Sequence, residues 1–228
     1  MKVPMGCGCI DELLGGGFEA GAITQIFGEA GSGKTNMCLQ LARSVILSGK
    51  KVIYIDSEGL SGDRIKQIFG SDYDRMVKSL LIFEPFDFEE QEAIIEKAVG
   101  LAMKNDDIGL MVLDSATGHY RVELAKDQER TERRSFIAQI TALLKLCRRK
   151  VIPVILTSQV YTDIERNEYK ALGGHVLRHN CKVIIRLDRD LDVPSRRFAK
   201  IMKHRALAEG KMAEFWLTEN GIECEPKS

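Results

Sequence analysis

At 228 residues the chain is long enough for one α/β domain with a large core and too short for two such domains. Lysine plus arginine and aspartate plus glutamate balance at 33 each, so the overall charge points to neither a nucleic-acid nor a membrane partner, although a local basic face remains open. No run of about 18 apolar residues predicts a membrane span, and the first residues lack a signal-peptide core, so we expect an intracellular, cytoplasmic protein with no membrane partner.

The first strongly patterned segment is an apolar strand that runs into a glycine-rich loop. Residues 22–27 read AITQIF, and the next eight residues read GEAGSGKT, which fits the phosphate-binding pattern G-x-x-x-x-G-K-[ST]. Backbone N–H groups of such a loop bind phosphates, here at the start of a predicted helix, and the alternative is a glycine-rich turn without a ligand. Lys34 would contact the β- and γ-phosphates, and the Thr35 hydroxyl would hold Mg²⁺. The candidate nucleotide-binding residues of the loop are Gly28, Glu29, Ala30, Gly31, Ser32, Gly33, Lys34 and Thr35.

Apolar runs and helical patterns alternate along the next part of the chain. Strands are predicted at 51–55, 80–83, 110–113 and 151–156. Helices are predicted from a capping box at Asp87 and Glu90 to about residue 105, and over about residues 131–149. Because the apolar runs are nearly continuous, they are typical of a parallel sheet covered on both faces. The alternation predicts a doubly wound α/β sheet flanked by helices.

The last quarter of the chain has a different spacing. Apolar runs at 182–187, 198–203 and 213–217 follow one another too closely for crossover helices. We therefore expect an antiparallel extension of the sheet edge, with a hairpin at residues 207–210. Without internal repeats or a low-complexity linker, residues 1–228 are predicted to form a single domain.

Polar side chains follow three of the predicted strands, at the edge where open α/β sheets bind ligands. Asp114 would orient Mg²⁺ directly or through water, or else cap the next turn. Glu58 could hold an attacking water and accept its proton, or else be a solvated loop residue. Gln159 could sense the γ-phosphate, or else serve ordinary turn chemistry. The predicted metal-binding residues are Thr35 and Asp114, and the predicted catalytic residues are Glu58, Lys34 and Gln159.

The six cysteines are scattered and contain no C-x-x-C pair. Cys7 and Cys9 are too close in sequence for ordinary zinc spacing. We expect reduced thiols, several of them buried as small apolar residues, and no structural metal site.

Taken together, these motifs resemble one family. From about Gly21 to Gly221 the chain resembles the ATPase core of the RecA family, and within it the archaeal RadB group of recombinase homologues. The motifs that carry the resemblance are the Gly28–Thr35 loop, YIDSEG at 54–59, LDSAT at 113–117, TSQV at 157–160, and the pair Gly173-Gly174 followed by His179. The resemblance implies a RecA-like fold, ATP and Mg²⁺ as cofactors, Glu58 as the catalytic glutamate and Gln159 as the nucleotide-sensing glutamine. It also implies that His179 lies near the γ-phosphate across a subunit interface.

By the same resemblance, the chain is expected to be an ATP-binding accessory protein of homologous recombination and DNA repair. The sequence begins almost directly with the core, without the helical DNA-binding domain and polymerisation segment of larger recombinases, so we expect weak ATPase activity and no strand exchange by the chain alone. Implied partners are single- or double-stranded DNA, the main recombinase, a Holliday-junction resolvase, and a second copy in a homodimer. The alternatives are a DNA-stimulated motor ATPase of RecA or helicase type and a small-molecule P-loop kinase, although no arginine-bearing lid is evident.

Basic residues concentrate between 196 and 211, whereas the two segments that resemble the family's DNA loops, about 119–130 and 160–170, are balanced or acidic. Lys203 and Arg205 would share one face of a strand and contact DNA phosphates or a neighbour's γ-phosphate, or else form a solvated edge. Tyrosines in the two loops could stack on bases or pack at the core edge. The candidates for DNA or trans-subunit contact are Lys203, His204, Arg205, Arg197, Lys200, His179, Tyr120, Arg121 and Tyr161.

Overall fold

A computed structural model describes residues 1–120, 129–163 and 168–225, with the backbone alone for residues 129–130, 161–163 and 168–171. A small substructure comes first and was not predicted. Strand β1 (Lys2–Val3) pairs antiparallel with strand β2 (Phe18–Glu19), and helix α1 (Gly8–Leu13) lies between them in sequence. Ile10 and Leu13 of α1 are buried, so this short segment contributes to the core.

Strands and helices then alternate. The first half of the alternation contains β3 (Ile23–Gly28), α2 (Lys34–Leu47), β4 (Lys51–Asp56), α3 (Gly62–Phe69), α4 (Tyr73–Met76) and β5 (Leu80–Phe83). The second half contains α5 (Phe88–Lys104), β6 (Ile108–Asp114), α6 (Glu129–Lys150) and β7 (Val154–Ser158). The predicted strands and helices of this region are therefore present, with ends that shift by a few residues.

The remaining elements comprise an antiparallel pair of strands, one short helix and a run of four consecutive strands. They are β8 (Val160–Asp163), β9 (Glu168–Ala171), α7 (Gly174–Asn180), β10 (Val183–Arg189), β11 (Arg196–Lys203), β12 (Met212–Thr218) and β13 (Gly221–Glu223). Strands β8 and β9 form a separate antiparallel pair.

One nine-stranded sheet organises the fold, in the order β13-β12-β11-β10-β3-β7-β6-β4-β5. The strands from β10 to β5 are parallel to their neighbours, and β10, β11, β12 and β13 pair antiparallel. This topology confirms the predicted fold class, a mostly parallel sheet with an antiparallel edge. It also sets the carboxyl ends of β3, β4, β6 and β7 along one edge.

Both faces of the sheet carry a hydrophobic core. Because side chains alternate along a strand, Val52 and Tyr54 of β4 pack in the core with helices α1 to α4, whereas Ile53 and Ile55 pack in the core with α5 and α6. All four side chains are fully buried. Among the described residues, no helix is long and apolar enough to cross a membrane.

Helix α5 begins where the capping box predicts. Asp87 Oδ1 accepts a hydrogen bond from the Glu90 N–H at 2.8 Å, and Glu90 Oε2 accepts one from the Phe86 N–H at 2.8 Å. These bonds satisfy backbone donors that the first helical turn cannot pair internally.

The start of β7 differs from the prediction. The apolar run at 151–156 was expected to be strand throughout, but β7 begins at Val154. Val151 has a positive φ of 53°, and Pro153 has no N–H to donate to a neighbouring strand. The first three residues therefore form the turn from α6 into the sheet.

The cysteines also differ from the prediction that all are reduced. Cys9 in α1 and Cys224 after β13 are joined by a disulfide, with their Cα atoms 5.6 Å apart. This Cα distance lies in the normal range for a disulfide. The other four cysteines are buried free thiols, at Cys7, Cys38, Cys147 and Cys181.

Candidate nucleotide-binding site

The glycine-rich loop lies between β3 and α2, in the middle of the sheet. Gly33 precedes α2 with a φ of 100°, a conformation that other residues rarely adopt. A Cβ at Gly28 would collide with the Leu187 carbonyl oxygen of neighbouring strand β10 and lie 2.7 Å from Ser32 Oγ. The loop therefore needs glycine at both positions to keep its shape.

Lys34 is the first residue of α2, and its ammonium group turns back into the loop. Nζ donates hydrogen bonds to the carbonyl oxygens of Gly28 and Glu29, each at 2.9 Å. Burial lowers the pKa of Lys34, while the carboxylates of Glu58 and Asp114 act in the opposite direction. A cation thus occupies the centre of the loop, opposite the acids on neighbouring strands.

One further feature of the loop fits a bound phosphate chain. The Ser32 hydroxyl is buried and has no hydrogen-bond partner among the described residues. An unsatisfied buried hydroxyl is costly, and a ligand oxygen would satisfy it.

Asp114 ends β6 and is the polar centre of the site. Its Oδ2 accepts hydrogen bonds from Thr35 Oγ1 at 2.8 Å and from the Tyr54 hydroxyl at 2.7 Å, and its Oδ1 accepts one from Thr157 Oγ1. Burial raises the pKa of Asp114, and the hydrogen bonds from Thr157, Tyr54 and Thr35 oppose that effect. Thr35 and Asp114, the two predicted metal-binding residues, thus meet directly, and hard oxygen ligands of this kind suit Mg²⁺.

Glu58 lies in the loop after β4, and its neighbours hold it there. The Asp56 carboxylate accepts hydrogen bonds from the backbone N–H groups of Glu58 and Gly59, both at 3.1 Å. Glu58 Oε1 accepts a hydrogen bond from Gln159 Nε2 at 2.9 Å, and the Gln159 N–H donates to Thr117 Oγ1 at 3.2 Å. The structure thus brings together two of the three predicted catalytic residues, Glu58 after β4 and Gln159 after β7, although they stand 101 residues apart in sequence.

Sequence reasoning missed three polar supports of the site. Tyr54 and Thr157 donate to Asp114, and Asp56 holds the backbone of the Glu58 loop. A sequence signal existed for Tyr54, since it places the one hydroxyl-bearing side chain within the otherwise aliphatic run VIYI. Buried hydroxyls require a partner, and a nearby strand-end acid is the natural acceptor.

The basic segment differs from the expected exposed face. Lys203 Nζ donates to the carbonyl oxygens of Arg178 and Cys181 at 2.6 and 2.8 Å, and burial lowers the pKa of Lys203. Arg205 Nε lies 2.6 Å from Glu19 Oε2, although 56% of the Arg205 side chain is exposed. Both predicted contact residues therefore already have partners within the chain.

Two other residues of that segment are buried rather than exposed. Arg197 Nε donates to the Gly31 carbonyl oxygen at 3.0 Å, so its guanidinium braces the glycine-rich loop from the side of β11. His204 Nδ1 accepts hydrogen bonds from the N–H groups of Ala206 and Leu207, both at 3.0 Å. Burial lowers the pKa of His204, which keeps the imidazole neutral as this acceptor role requires.

The remaining candidates are spread over the molecule. Tyr120 is buried and stacks on Phe136 with ring centroids 4.4 Å apart, so it belongs to the core and does not present a face for base stacking. Lys200 lies half-buried on β11, and His179 lies exposed on α7, where its ring stacks on His175. Arg121 lies outside the described residues, and only the backbone of Tyr161 is described.

Comparisons with known proteins extend along nearly the whole chain. A family model described as Rad51 matches residues 1–225. The DNA repair and recombination protein RadB of Methanococcoides burtonii is 48% identical over 217 residues, which cover 95% of each chain. The protein of that name from Archaeoglobus fulgidus is 40% identical over 224 residues, 98% of each chain. A crystal structure of the RadB recombinase is 37% identical and has a TM-score of 0.83 over 97% of this chain and 98% of that one.

Proposed function

This chain belongs to the Rad51 family, and on that premise we propose that it is an ATP-binding accessory protein of homologous recombination and DNA repair. The observation that carries the proposal is the meeting of Thr35 with Asp114, at 2.8 Å, beside the glycine-rich loop. Lys34 and Glu58 face the same place from α2 and from the loop after β4. This combination suits a nucleoside triphosphate with its metal, held by a single RecA-like ATPase domain.

The fit of the site to ATP and Mg²⁺ rests on the residues just described. The backbone of residues 28–35, with the Ser32 hydroxyl, would hold the phosphate chain, and the Lys34 ammonium would leave its carbonyl partners to pair with phosphate oxygens. Thr35 and Asp114 would hold Mg²⁺ through their oxygens. When bound, Mg²⁺-ATP supplies the γ-phosphoryl group that water attacks.

Glu58 would act as the general base of a slow hydrolysis. Its carboxylate would orient a water molecule and accept the proton of that water. Glu58 Oε1 accepts a hydrogen bond from Gln159 Nε2, so one oxygen of the proposed base already has a partner. Because the exposed His179 would complete the site only in a second copy of the chain, we propose that hydrolysis by the single chain is weak and that ATP serves mainly to shift a conformational equilibrium.

The proposed partners rest on the resemblance to the family. We propose binding to single- or double-stranded DNA without sequence preference, through basic residues such as the half-buried Lys200 and the exposed Arg205 and Lys211. The main recombinase, a Holliday-junction resolvase and a second copy of this chain are the proposed protein partners. We propose that the chain does not exchange strands alone.

One observation favours a second candidate function, a DNA-stimulated motor ATPase. Gln159 bonds Glu58 and immediately precedes strands β8 and β9, whose position in sequence resembles that of the second DNA loop of RecA-like proteins. DNA that moved β8 and β9 would move Gln159 and release Glu58. That sequence of contacts would couple DNA binding to hydrolysis.

Steady-state hydrolysis with and without single-stranded DNA separates the two candidates. For the accessory protein we expect saturable ATP binding by calorimetry, DNA binding by anisotropy, and a slow hydrolysis rate that DNA changes less than about tenfold, equivalent to about 1.4 kcal/mol in the barrier. A larger stimulation by DNA would select the motor. Failure to bind ATP at all would contradict both functions.

A further inference from the structure

Three cysteine sulfurs meet between the start of helix α1 and the residue after strand β13. Cys7 Sγ lies 3.5 Å from Cys9 Sγ and 3.2 Å from Cys224 Sγ, while Cys9 and Cys224 are bonded to each other. Cys224 stands 215 residues from Cys9 in sequence, so the cluster is built by the fold and has no short sequence motif. We call Cys7, Cys9 and Cys224 the thiol cluster.

The surroundings of the thiol cluster hold its geometry. The Asp11 carboxylate accepts hydrogen bonds from the N–H groups of Met5 and Gly6 at 2.8 and 3.0 Å, which fixes the chain just before Cys7. The Cys9 N–H points at Cys224 Sγ, at 2.8 Å. Cys7 is 4% exposed, and Cys9 and Cys224 are half-buried, so the cluster is sheltered while remaining within reach of a small ion.

The local charge is suited to a cation. The carboxylates of Asp11 and Glu223 act electrostatically on the Cys7 sulfur. Asp11 lies in the first turn of α1, and Glu223 directly precedes Cys224 in sequence. These negative charges would attract a metal ion to the three sulfurs.

We propose that the reduced thiol cluster is a binding site for one thiophilic metal ion of the Zn²⁺ class, with Cys7, Cys9 and Cys224 as thiolate ligands. Sulfurs bonded to tetrahedral zinc at about 2.3 Å stand about 3.8 Å from one another. The 3.2 and 3.5 Å distances from Cys7 Sγ are close to that spacing, and opening the disulfide lets the Cys9 and Cys224 sulfurs separate. Among the described residues no other His, Cys, Asp or Glu joins the cluster, so water is assigned the fourth position.

Disulfide and metal are mutually exclusive at this site. A dithiol reductant transfers two electrons and two protons to the Cys9–Cys224 disulfide, which yields two thiols and the cyclic disulfide of the reductant. Metal binding then forms three sulfur–metal bonds and releases the thiol protons to solvent. Either link ties α1 to the segment after β13, but only the metal link includes Cys7.

Titration with Cd²⁺, a spectroscopic probe for thiolate sites, tests the proposal on the full chain. The protein is reduced with a dithiol, and the reductant is then removed under oxygen-free conditions. Cd²⁺ is added stepwise while sulfur-to-cadmium charge-transfer absorption is recorded. We expect saturation at a single equivalent of Cd²⁺. In Cys9→Ser and Cys224→Ser, both at half-buried positions, affinity should fall by more than about 100-fold, since even loss of a supporting partner of a ligand can cost that much.

Controls make the result decisive. Cys147→Ser removes a buried thiol that packs on the other face of the sheet, so it should bind Cd²⁺ like the parent. Cys7→Ser should weaken binding as the other two cluster variants do, and thermal unfolding followed by circular dichroism verifies that each variant is folded. Absence of charge-transfer absorption in the reduced parent, or unchanged affinity in the folded Cys9→Ser and Cys224→Ser variants, would overturn the proposal.

Discussion

Two carbonyl hydrogen bonds hold the Lys34 ammonium group inside the loop, and we propose that Lys34 gives them up when ATP binds. We expect Lys34→Ala to weaken ATP binding by about 10- to 150-fold, because a charge-assisted hydrogen bond contributes about 1.5–3 kcal/mol. Calorimetric titration with a non-hydrolysable ATP analogue measures the change. Lys97→Ala, at an exposed position on α5, is the matched control and should bind like the parent. If Lys34→Ala bound the ATP analogue with the affinity of the parent, the assignment of the glycine-rich loop as the nucleotide-binding site would be wrong.

Glu58 and Gln159 make one hydrogen bond that links two strands at the site. We expect Glu58→Gln to keep ATP binding and to slow single-turnover hydrolysis by about 10²- to 10⁴-fold, because an amide cannot accept the proton of the attacking water. Glu96→Gln, exposed on α5, makes the same chemical change away from the site and should hydrolyse ATP at the parental rate. Equal rates in Glu58→Gln and the parent would exclude Glu58 as the base.

At the scale of elements, the turn after β11 depends on a neutral histidine. Burial lowers the pKa of His204 in the folded chain. The His204 side chain therefore stays unprotonated in the folded chain at pH values where it already binds a proton in the unfolded chain, in which a histidine has a pKa of about 6.5. The free energy of unfolding should therefore decrease as the pH falls below about 6.5 and through the lowered pKa, by up to about 1.4 kcal/mol per pH unit.

Denaturant titrations at several pH values measure this effect of His204. His204→Asn keeps an acceptor for the two N–H groups without titrating, so its stability should vary less with pH in that window. The control His175→Asn changes an exposed histidine and should retain the parental dependence. Superimposable pH profiles of parent and His204→Asn would contradict the assignment.

The segment around Lys203 and Arg205 yields a narrower DNA prediction than its charge count suggests. Lys203 is bound to two carbonyl oxygens, whereas Arg205 keeps more than half of its side chain exposed beside Glu19. The double variant Lys203→Ala, Arg205→Ala should therefore reduce the slope of log affinity against log salt by about one, the contribution of one phosphate contact, and not by two.

Fluorescence anisotropy over a range of salt concentrations measures the slope. The double variant Lys97→Ala, Lys104→Ala removes the same charge from exposed positions on α5 and should leave the slope as in the parent. A decrease of about two would mean that Lys203 leaves its carbonyl partners for DNA. If the slope of log affinity against log salt and the rate of ATP hydrolysis both stay unchanged in the Lys203→Ala, Arg205→Ala variant, the two residues contact neither DNA nor the nucleotide and serve only the structure of the sheet edge.

Sequence reasoning predicted the sheet from its apolar runs, and the similarity to the RadB recombinase structure confirms the RecA-like fold. It missed β1 and β2, since two-residue strands have no period to detect. It placed Arg197 on the surface because charge density was averaged over a segment. The alternation of side chains along β11 would have predicted a buried Arg197, because Arg197 shares a face with the buried Ala199 and Ile201. Local sequence patterns predicted the acidic residues at the strand ends. The hydrogen bonds that join distant strands could be identified only from the three-dimensional structure.

For the whole molecule, the proposed role of His179 across a subunit interface predicts cooperation between copies. If a second copy places His179 near the nucleotide, the rate per chain should rise with protein concentration, and His179→Ala should remove only that increase. Hydrolysis assays across a dilution series, together with light scattering for the molecular mass, measure both quantities. Lys97→Ala, at an exposed position on α5 away from His179, is the control. A rate per chain that is independent of concentration in the parent would contradict the trans-subunit role.

The central position of β3 has a consequence for the synthesis of the protein. Strand β3 leaves the ribosome early, but both strands that flank it, β7 from Val154 and β10 from Val183, are made much later. At about 5–20 residues per second, the nascent chain carries an unpaired apolar strand for many seconds before the sheet can close around it. The glycine-rich loop therefore lacks its neighbouring strands while the first half of the chain is translated. The growing chain is expected to need protection from aggregation in that interval.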